Sequence, residues 1–387
     1  MQNFFYDIPS KVAFGKGVIR QLPGFIKEFG SRVLLVYGGG SIKRTGLYDT
    51  IVKLLDDNGI WHTECSGVEP NPRTTTVDRG AAICRKENVQ VVLPVGGGST
   101  IDCAKAISAA CFYDGPAWDL VLDNSLAKKN LPIITVLTLA ATGSEMDWFS
   151  VISNAETNDK MDFDARFNYP KYSILDPEYT YSVPRYQTAS GTADIMSHIF
   201  EVYFNGVPGA YMQERVMEGM LKTCVHFGPI ACEKPDDYDA RANLMWTSSF
   251  AINGFISCGK SGPWPCHAME HQLSAFYDVT HGHGLAILTP VWMEYTLCGK
   301  TVDMFVNYGA NVFDISREKD KYEIAKEAIG KTRELYKTMG LSSTLRDIGI
   351  TSKDKFEIMA QKASAETEDC LVPLHPDDIV KIFERCY

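Results

Sequence analysis

The first half of the chain alternates short apolar, β-branched runs with segments of helical character. Residues 32–37, 89–95 and 131–137 each have the pattern of a buried strand, and glycines follow the first two at once. Helical character resumes near Leu47 after the first run and near Asp102 after the second. This alternation is typical of parallel βαβ units. It predicts a Rossmann-like α/β domain with a parallel sheet over residues 1–184.

Beyond Pro184 the pattern changes to apolar residues at three- and four-residue spacing, with few β-branched runs. The segments with this spacing are 192–203, 211–227, 239–254, 265–277, 320–339 and 353–367. Pro184 separates them from the last extended run. Residues 185–387 are therefore predicted to form a second domain that is all helical.

Composition excludes several classes of function for this 387-residue chain. A net charge of −10 without a Lys/Arg-rich run argues against nucleic-acid or anionic-membrane partners. No apolar run reaches the roughly 18 residues that a membrane span needs. The N-terminus has neither a basic region nor an apolar one, and the eleven cysteines are scattered singly. We expect a cytoplasmic protein with reduced thiols.

A glycine loop follows the second predicted strand. A strand that ends in glycines and opens a helix is suited to phosphate, because bare backbone N–H groups and the helix dipole face the ligand. The pattern matches neither GxGxxG nor the Walker motif, so a sharp turn within a sheet is the alternative. We predict that this loop holds the diphosphate of a cofactor, through Gly96, Gly97, Gly98 and Ser99.

A second glycine loop follows the first strand and contains Gly38, Gly39 and Ser41. NAD enzymes usually present an acid to the adenosine ribose, but none stands between Val33 and Thr45. Ser41 and the basic residues after it could instead hold a 2′-phosphate. This loop therefore favours NADP(H), and a flexible loop with solvated bases is the alternative.

Two pairs of potential metal ligands stand at i, i+4 spacing in the second half. Asp194 pairs with His198 and His267 with His271, so each pair lies on one helix face, and His281 follows ten residues later. A single pair would usually be a solvated helix face. Imidazoles with a carboxylate suit a divalent first-row metal, whereas Mg²⁺ or Ca²⁺ would call for oxygen ligands. These five residues are candidates for three or four ligand positions.

These residues, together with other motifs, resemble the iron-containing, or group III, alcohol dehydrogenases over essentially the whole chain. Within that family the chain is most similar to NADPH-dependent butanol dehydrogenases and broad-range aldehyde reductases. The motifs that carry the resemblance are Phe14–Gly17, Glu69–Pro72, Gly96–Ser99 with Asp102 and Lys105, Thr138–Glu145, Asp194 with His198, and His267–Gly284.

The resemblance implies a role for each matching residue. The metal, Fe(II) or Zn(II), would be bound by Asp194, His198, His267 and His281. His271 would lie near the nicotinamide and relay a proton. Cofactor contacts are implied at Asn71, Gly97, Gly98, Ser99, Asp102, Thr138, Thr142 and Lys160. The family also implies a homodimer.

The chain departs from the family pattern in one cofactor loop. The usual Thr-Thr-Ala-Gly-Thr-Gly-Ser-Glu is here Thr-Leu-Ala-Ala-Thr-Gly-Ser-Glu, so Leu139 and Ala141 replace a hydroxyl and a glycine. Family members that prefer NAD carry an acid at about the place of Gly39. Its absence supports NADP(H) independently of the charge argument.

The expected reaction is reversible hydride transfer between the nicotinamide and the carbonyl carbon of a small aldehyde, with the metal as Lewis acid. Aromatic residues near the site, Trp148, Phe149, Phe255 and Trp264, could form an apolar wall for short alkyl chains. A lyase of the dehydroquinate synthase type is the main alternative, since it shares this architecture. A metallohydrolase and a metal-storage protein are weaker alternatives.

Overall fold

A computed structural model describes all residues from Met1 to Tyr387. The chain divides into two compact units. One contains Asp7–Val183, and the other contains Pro184–Tyr387 together with the N-terminal residues Met1–Tyr6. The N-terminal residues join the helical unit through backbone pairing, since the Gln2 amide donates to the Gly259 carbonyl over 2.9 Å. The division differs from the sequence-based domains in the assignment of these six residues and of Pro184.

The Asp7–Val183 unit is built on a six-stranded parallel sheet in the order β1-β8-β5-β4-β2-β3. A separate antiparallel hairpin is formed by β6 and β7. The strands are β1 Lys11–Phe14, β2 Arg32–Val36, β3 Trp61–Cys65, β4 Val91–Gly96, β5 Ile134–Leu137, β6 Phe149–Asn154, β7 Asp159–Asp164 and β8 Tyr172–Leu175. The helices are α1 Leu22–Lys27, α2 Ser41–Arg44, α3 Leu47–Asp57, α4 Thr74–Glu87, α5 Gly98–Ala110 and α6 Ala117–Leu122.

The central strands are largely apolar because helices cover both faces of the sheet. On one face Leu34 and Val92 pack into a cluster that includes residues of α4 and α5. On the other, Val33 and Leu93 pack into a cluster that includes residues of α1 and α3. The alternation of neighbouring residues between two cores follows from the two-residue period of a strand.

The second unit consists of nine helices around one large core. They are α7 Arg185–Tyr203, α8 Tyr211–Glu233, α9 Tyr238–Ile252, α10 Pro265–Tyr277, α11 His281–Thr296, α12 Val302–Phe313, α13 Lys321–Met339, α14 Phe356–Ser364 and α15 Pro376–Cys386. Short 3-10 segments occur in the sheet unit at Val18–Gln21, Asn124–Leu126, Ser144–Met146, Arg166–Asn168 and Pro177–Thr180, and in the helical unit at Arg346–Ile348. No helix combines the length and the apolar character needed to cross a bilayer.

The predicted fold class, a parallel α/β region followed by a helical region, is confirmed. The sequence analysis did not find β1, β3, β8 or the β6–β7 hairpin. β3 lies at the sheet edge and is polar, and β7 is largely charged, so neither has the apolar run by which the central strands were identified.

Candidate active site

Helix α7 carries the first two predicted ligands into the middle of the helical core. It begins after Pro184, and nearly all of its side chains from Thr188 onward are buried. Asp194 and His198 are 2% and 3% exposed, and His198 Nε2 lies 3.5 Å from Asp194 Oδ1. The i, i+4 spacing therefore directs both side chains to one point inside the unit.

Two further helices bring imidazoles to the same carboxylate oxygen. His267 lies in the first turn of α10, after Pro265, and His281 is the first residue of α11. The Nε2 atoms of His267 and His281 lie 3.9 Å and 3.5 Å from Asp194 Oδ1. All four residues that the resemblance implied as ligands thus converge, although they come from three helices.

Two buried glutamates that the sequence analysis missed hold these imidazoles from behind. Glu201 Oε1 accepts from the His267 ring at Nδ1 over 3.0 Å and from the His267 backbone amide over 2.9 Å. Glu270 Oε2 accepts from His281 Nδ1. With Glu201 and Glu270 ionised, each ring would carry its proton at Nδ1 and direct the Nε2 lone pair toward Asp194. The helical stripe of Asp194, His198 and Glu201 was the available sequence signal.

Burial changes the protonation of this cluster. It lowers the pKa of His198 well below its usual value, and the neighbouring His267 lowers it further, so His198 is a neutral imidazole. Burial also raises the pKa of Glu201 to about 8, although backbone N–H groups of His267 and Cys266 oppose the rise. A cation held on the far side of His267 would favour the ionised form of Glu201.

The donor set fits a divalent transition metal. The Nε2 atoms of His198, His267 and His281 each lie within 3.9 Å of Asp194 Oδ1, and donor atoms of Asp194, His267 and His281 lie within 4.8 Å of one another. The Nδ1 atoms of His267 and His281 lie beside carboxylates. Three imidazoles with one carboxylate suit Fe(II) or Zn(II), and the carboxylate–histidine pairs behind them are the usual support of such ligands.

His271 lies beside the cluster, and its ring nitrogen lies within 4.8 Å of donor atoms of Glu270 and His281. Its ring centroid is 5.6 Å from that of His281 and 6.3 Å from that of His267, and the side chain is partly exposed. His283, the remaining histidine of this stretch, is held by Tyr186 and Ser342. It therefore has a structural role.

The four aromatic residues suggested as an apolar wall fall in different surroundings. The Trp264 ring lies 5.6 Å from the His198 ring and 5.0 Å from the His267 ring, so it borders the donor set. Phe255 packs against Tyr6, and Trp148 packs against Phe149. Of the four, Trp264 has the contacts expected of a substrate wall.

The glycine loop after β4 is tightly packed against its surroundings. A Cβ atom on Gly96 would meet Thr100, and one on Gly98 would meet Thr142. Ser99 donates its hydroxyl to the Pro70 carbonyl, which brings the segment before the buried Asn71 to the start of α5. The loop opens a 13-residue helix, whose first N–H groups and dipole suit a phosphate.

A buried lysine links α5 to the predicted loop from Thr138 to Glu145. Lys105 Nζ is fully buried and donates to Ser144 Oγ over 2.8 Å, to Asp147 over 2.5 Å and to the Phe149 carbonyl over 2.7 Å. Ser144 in turn donates to Asp102 over 2.5 Å. This network fixes the loop on the helix that follows the glycines.

Both carboxylate oxygens of Asp102 already accept protein hydrogen bonds. Oδ1 accepts from Ser144 and Oδ2 accepts from the Val151 amide over 3.0 Å. Burial raises the pKa of Asp102, while the positive charges of Lys105 and Lys160 lower it. Lys160 therefore lies close enough to Asp102 to favour the ionised form of its carboxyl group. The hydrogen bonds give Asp102 a structural role in addition to the cofactor contact that the resemblance implies.

The second glycine loop lies beside the first. A Cβ atom on Gly38 would come within 4.0 Å of Thr100 Oγ1, the same side chain that Gly96 approaches. Gly40 has φ +89°, a left-handed conformation that favours glycine, and the region around Gly39 is open. Ser41 begins the short helix α2.

The sheet order places both loops at the position where doubly wound sheets bind dinucleotides. From β2 the chain passes to β3 on one side, and β4 then pairs with β2 on the other side. Ligands bind at the carboxyl ends of the strands that flank such a reversal. Gly38–Gly40 follow β2 and Gly96–Gly98 end or follow β4, so bare backbone surrounds this point, as a dinucleotide diphosphate requires.

Comparison with known proteins agrees with this geometry. The profile described as iron-containing alcohol dehydrogenase matches residues 9–177, and that described as Fe-containing alcohol dehydrogenase family, C-terminal, matches residues 188–387. The chain is 56% identical to NADH-dependent butanol dehydrogenase A of Clostridium acetobutylicum, over 100% of each chain. It is 36% identical to the NADPH-dependent aldehyde reductase YqhD of Escherichia coli, over 90% of each.

A solved structure gives the same result for the fold. The crystal structure of NADH-dependent butanol dehydrogenase A from Thermotoga maritima superimposes with a TM-score of 0.94 at 36% identity. The match covers 100% of this chain and 99% of that one. Both units therefore have counterparts in one known architecture.

Proposed function

Because the chain belongs to the iron-containing alcohol dehydrogenase family, we propose that it interconverts short-chain primary alcohols and aldehydes of the butanol and butanal type. The observation that carries the proposal is the convergence of three imidazoles on Asp194 in one unit. A supporting observation is the pair of glycine loops in the other unit, where the strand order of the sheet reverses. A metal donor set and a dinucleotide site together are what a metal-dependent alcohol dehydrogenase requires.

When bound, a divalent metal supplies Lewis-acid polarisation of the substrate carbonyl, and a nicotinamide supplies or accepts the hydride. Asp194, His198, His267 and His281 would hold the metal. Fe(II) and Zn(II) both suit this donor set. Glu201 and Glu270 keep His267 and His281 in the tautomer that presents Nε2.

His271 would deliver the proton to the alcohol oxygen as the aldehyde is reduced. It is partly exposed and adjoins His281, so it can exchange protons with solvent while remaining next to the donor set. An imidazole, whose unperturbed pKa is about 6.5, suits this task at neutral pH. Trp264 would contact the alkyl chain of the substrate.

The dehydroquinate synthase alternative lacks comparable support. The reported relatives are alcohol dehydrogenases and an aldehyde reductase, and nothing in their names points to a lyase. Net oxidation of a reduced nicotinamide by an aldehyde would exclude the lyase reaction, which uses its cofactor only transiently. A metallohydrolase would leave the two glycine loops unexplained.

The proposal is tested by initial rates of nicotinamide oxidation with butanal, before and after removal of the metal by a chelator. We expect turnover in the metal-replete protein, loss of turnover after chelation and recovery on addition of Fe(II) or Zn(II). Absence of turnover with both NADH and NADPH in a metal-replete sample would contradict the proposal. Light scattering would test the homodimer that the resemblance implies, against a monomer of 43.0 kDa.

The choice between the two nicotinamide cofactors is a separate part of the proposal. The sequence analysis favours NADP(H) because no acid stands between Val33 and Thr45. Two reported relatives are named as NADH-dependent and one as NADPH-dependent. A carboxylate outside that stretch, Glu64, bears directly on this choice.

A further inference from the structure

Four side chains form a polar cluster at the ends of β2 and β3. The hydroxyls of Tyr37 and Tyr48 donate to Glu64, one to each carboxylate oxygen. Lys43 Nζ lies 3.7 Å from Glu64 Oε2, and it lies 5.0 Å from the centre of the Tyr37 ring and 4.4 Å from that of Tyr48. Glu64 is thus held by three partners from the segment around the second glycine loop.

Glu64 lies near the carboxyl end of β3, beside the loop after β2 in which the adenosine ribose is expected. In doubly wound sheets that bind NAD, an acid binds the adenosine ribose hydroxyls. Here the strand next to β4 and its glycine loop is β2, which ends without an acid, and β3, which carries Glu64, is the next strand beyond it. β3 pairs with β2 in parallel, with Glu64 opposite Leu35, three residues before Gly38. The prediction of NADP(H) rests on residues 33–45 alone, and Glu64 lies outside that stretch.

The cluster also changes the charge available to a 2′-phosphate. Burial by itself would raise the pKa of Glu64, but the hydrogen bonds from Tyr37 and Tyr48 and the charge of Lys43 lower it overall, so the carboxylate is ionised. Lys43 was one of the bases assigned to a 2′-phosphate. It is already paired with Glu64, so less of its positive charge can act on a phosphate.

We propose that Glu64 is a specificity-determining residue, which favours NADH over NADPH by repelling a 2′-phosphate and by holding Lys43. This inference rests on the proposed function, since it concerns the cofactor of that reaction. It reverses the preference expected from the glycine loop alone, because the relevant acid lies on the next strand of the sheet.

The first test measures ligand binding, which does not depend on the metal. Titration calorimetry would compare 2′,5′-ADP, which carries the 2′-phosphate, with 5′-AMP, which lacks it. For Glu64→Gln we expect the affinity for 2′,5′-ADP relative to 5′-AMP to rise about tenfold over wild type, equivalent to about 1.4 kcal/mol. Glu64→Asp, which retains the charge, should stay close to wild type.

The second test measures kcat/KM for NADPH relative to NADH, with butanal. Glu64→Gln should raise this ratio in the same proportion, chiefly through KM. Lys43→Gln should lower the ratio, because it leaves the carboxylate without its cation. Since Lys43 is half exposed, this variant keeps the test decisive if Glu64→Gln fails to fold.

The outcomes separate this inference from the proposed function. Unchanged affinity and kcat/KM ratios in Glu64→Gln, or an equal loss of affinity for both cofactors, would overturn the role of Glu64. Either result would leave the proposed reductase activity intact. If the wild-type protein bound neither nucleotide, the dinucleotide site itself would be wrong, and with it both proposals. We expect the ratio of kcat/KM for NADPH to that for NADH to rise in Glu64→Gln and to fall in Lys43→Gln.

Discussion

His267 and His271 stand one turn apart on α10, but their surroundings assign them different tasks. His267 directs Nε2 toward Asp194 and is fixed from behind by Glu201. His271 is partly exposed, and its donor atom groups with those of Glu270 and His281. The two residues therefore provide a sharp test of the division between metal ligand and proton donor.

We expect His267→Ala to lose bound metal and activity together, because it removes one of four donors. His271→Ala should retain the metal and lose about 10²- to 10⁴-fold in kcat, as is typical when a general acid is removed. Metal content by mass spectrometry and initial rates with butanal measure the two effects. Loss of metal from His271→Ala would show that His271 is itself a ligand.

The glutamates behind the imidazoles should control metal affinity without touching the metal. Glu201→Gln removes the charge that fixes the His267 tautomer, and loss of such a partner typically lowers metal affinity about 10- to 100-fold. Competition with a chromogenic chelator measures the affinity. The matched control is Glu218→Gln, an equally buried carboxylate held by Tyr203 and Arg215.

The Glu218→Gln control should lose some stability, while its metal affinity stays at the wild-type value. Equal loss of metal affinity in Glu201→Gln and Glu218→Gln would mean that Glu201 acts only on the stability of the helical core.

At the scale of elements, the donor geometry depends on how closely α7 and α11 approach. A Cβ atom on Gly282 would collide with the Ser190 carbonyl and lie 3.2 Å from Ser190 Cα. Asp194 is one turn after Ser190, and His281 directly precedes Gly282. The absence of a side chain at Gly282 therefore sets the distance between two donors on different helices.

Gly282→Ala should force these helices apart. We expect a loss of about 1–3 kcal/mol of stability, as for other overpacked cores, and weaker metal binding. Gly330→Ala on α13 is the control, because nothing lies within 4 Å of its added Cβ. That change should raise stability by about 0.4–1 kcal/mol and leave metal affinity unchanged. Denaturant unfolding and chelator competition measure both; intact metal binding in Gly282→Ala would contradict the role of the close approach.

The elements also show which parts of the site could be predicted from sequence. Asp194 and His198 were found because their spacing is local to one helix, whereas their convergence with His281 depends on the crossing of α7 and α11. Glu201 lies on the same helical stripe but was missed, because a helical glutamate usually faces solvent. Glu64 was missed because the polar edge strand β3 does not have the apolar run that identified β2 and β4.

At the scale of the whole molecule, the two units contain different parts of the proposed chemistry. The proposed metal donors come from α7, α10 and α11, all in the helical unit. The glycine loops and Glu64 belong to the sheet unit. The alternation of elements predicted this division of fold classes, since each unit has a distinct hydrophobic period. Removal of the metal should therefore act unequally along the chain.

A ligand that binds only the folded state stabilises it by mass action, by about 4 kcal/mol at a thousand times its dissociation constant. Chelation therefore removes this stabilisation from the helices that carry the proposed metal donors. In hydrogen exchange we expect amides of α7, α10 and α11 to lose protection, whereas β2, β4 and α5 should change little. His267→Ala, which already lacks a donor, should be insensitive to the chelator. Equal loss of protection in β4 and α7 would show that the metal stabilises both units as one cooperative structure.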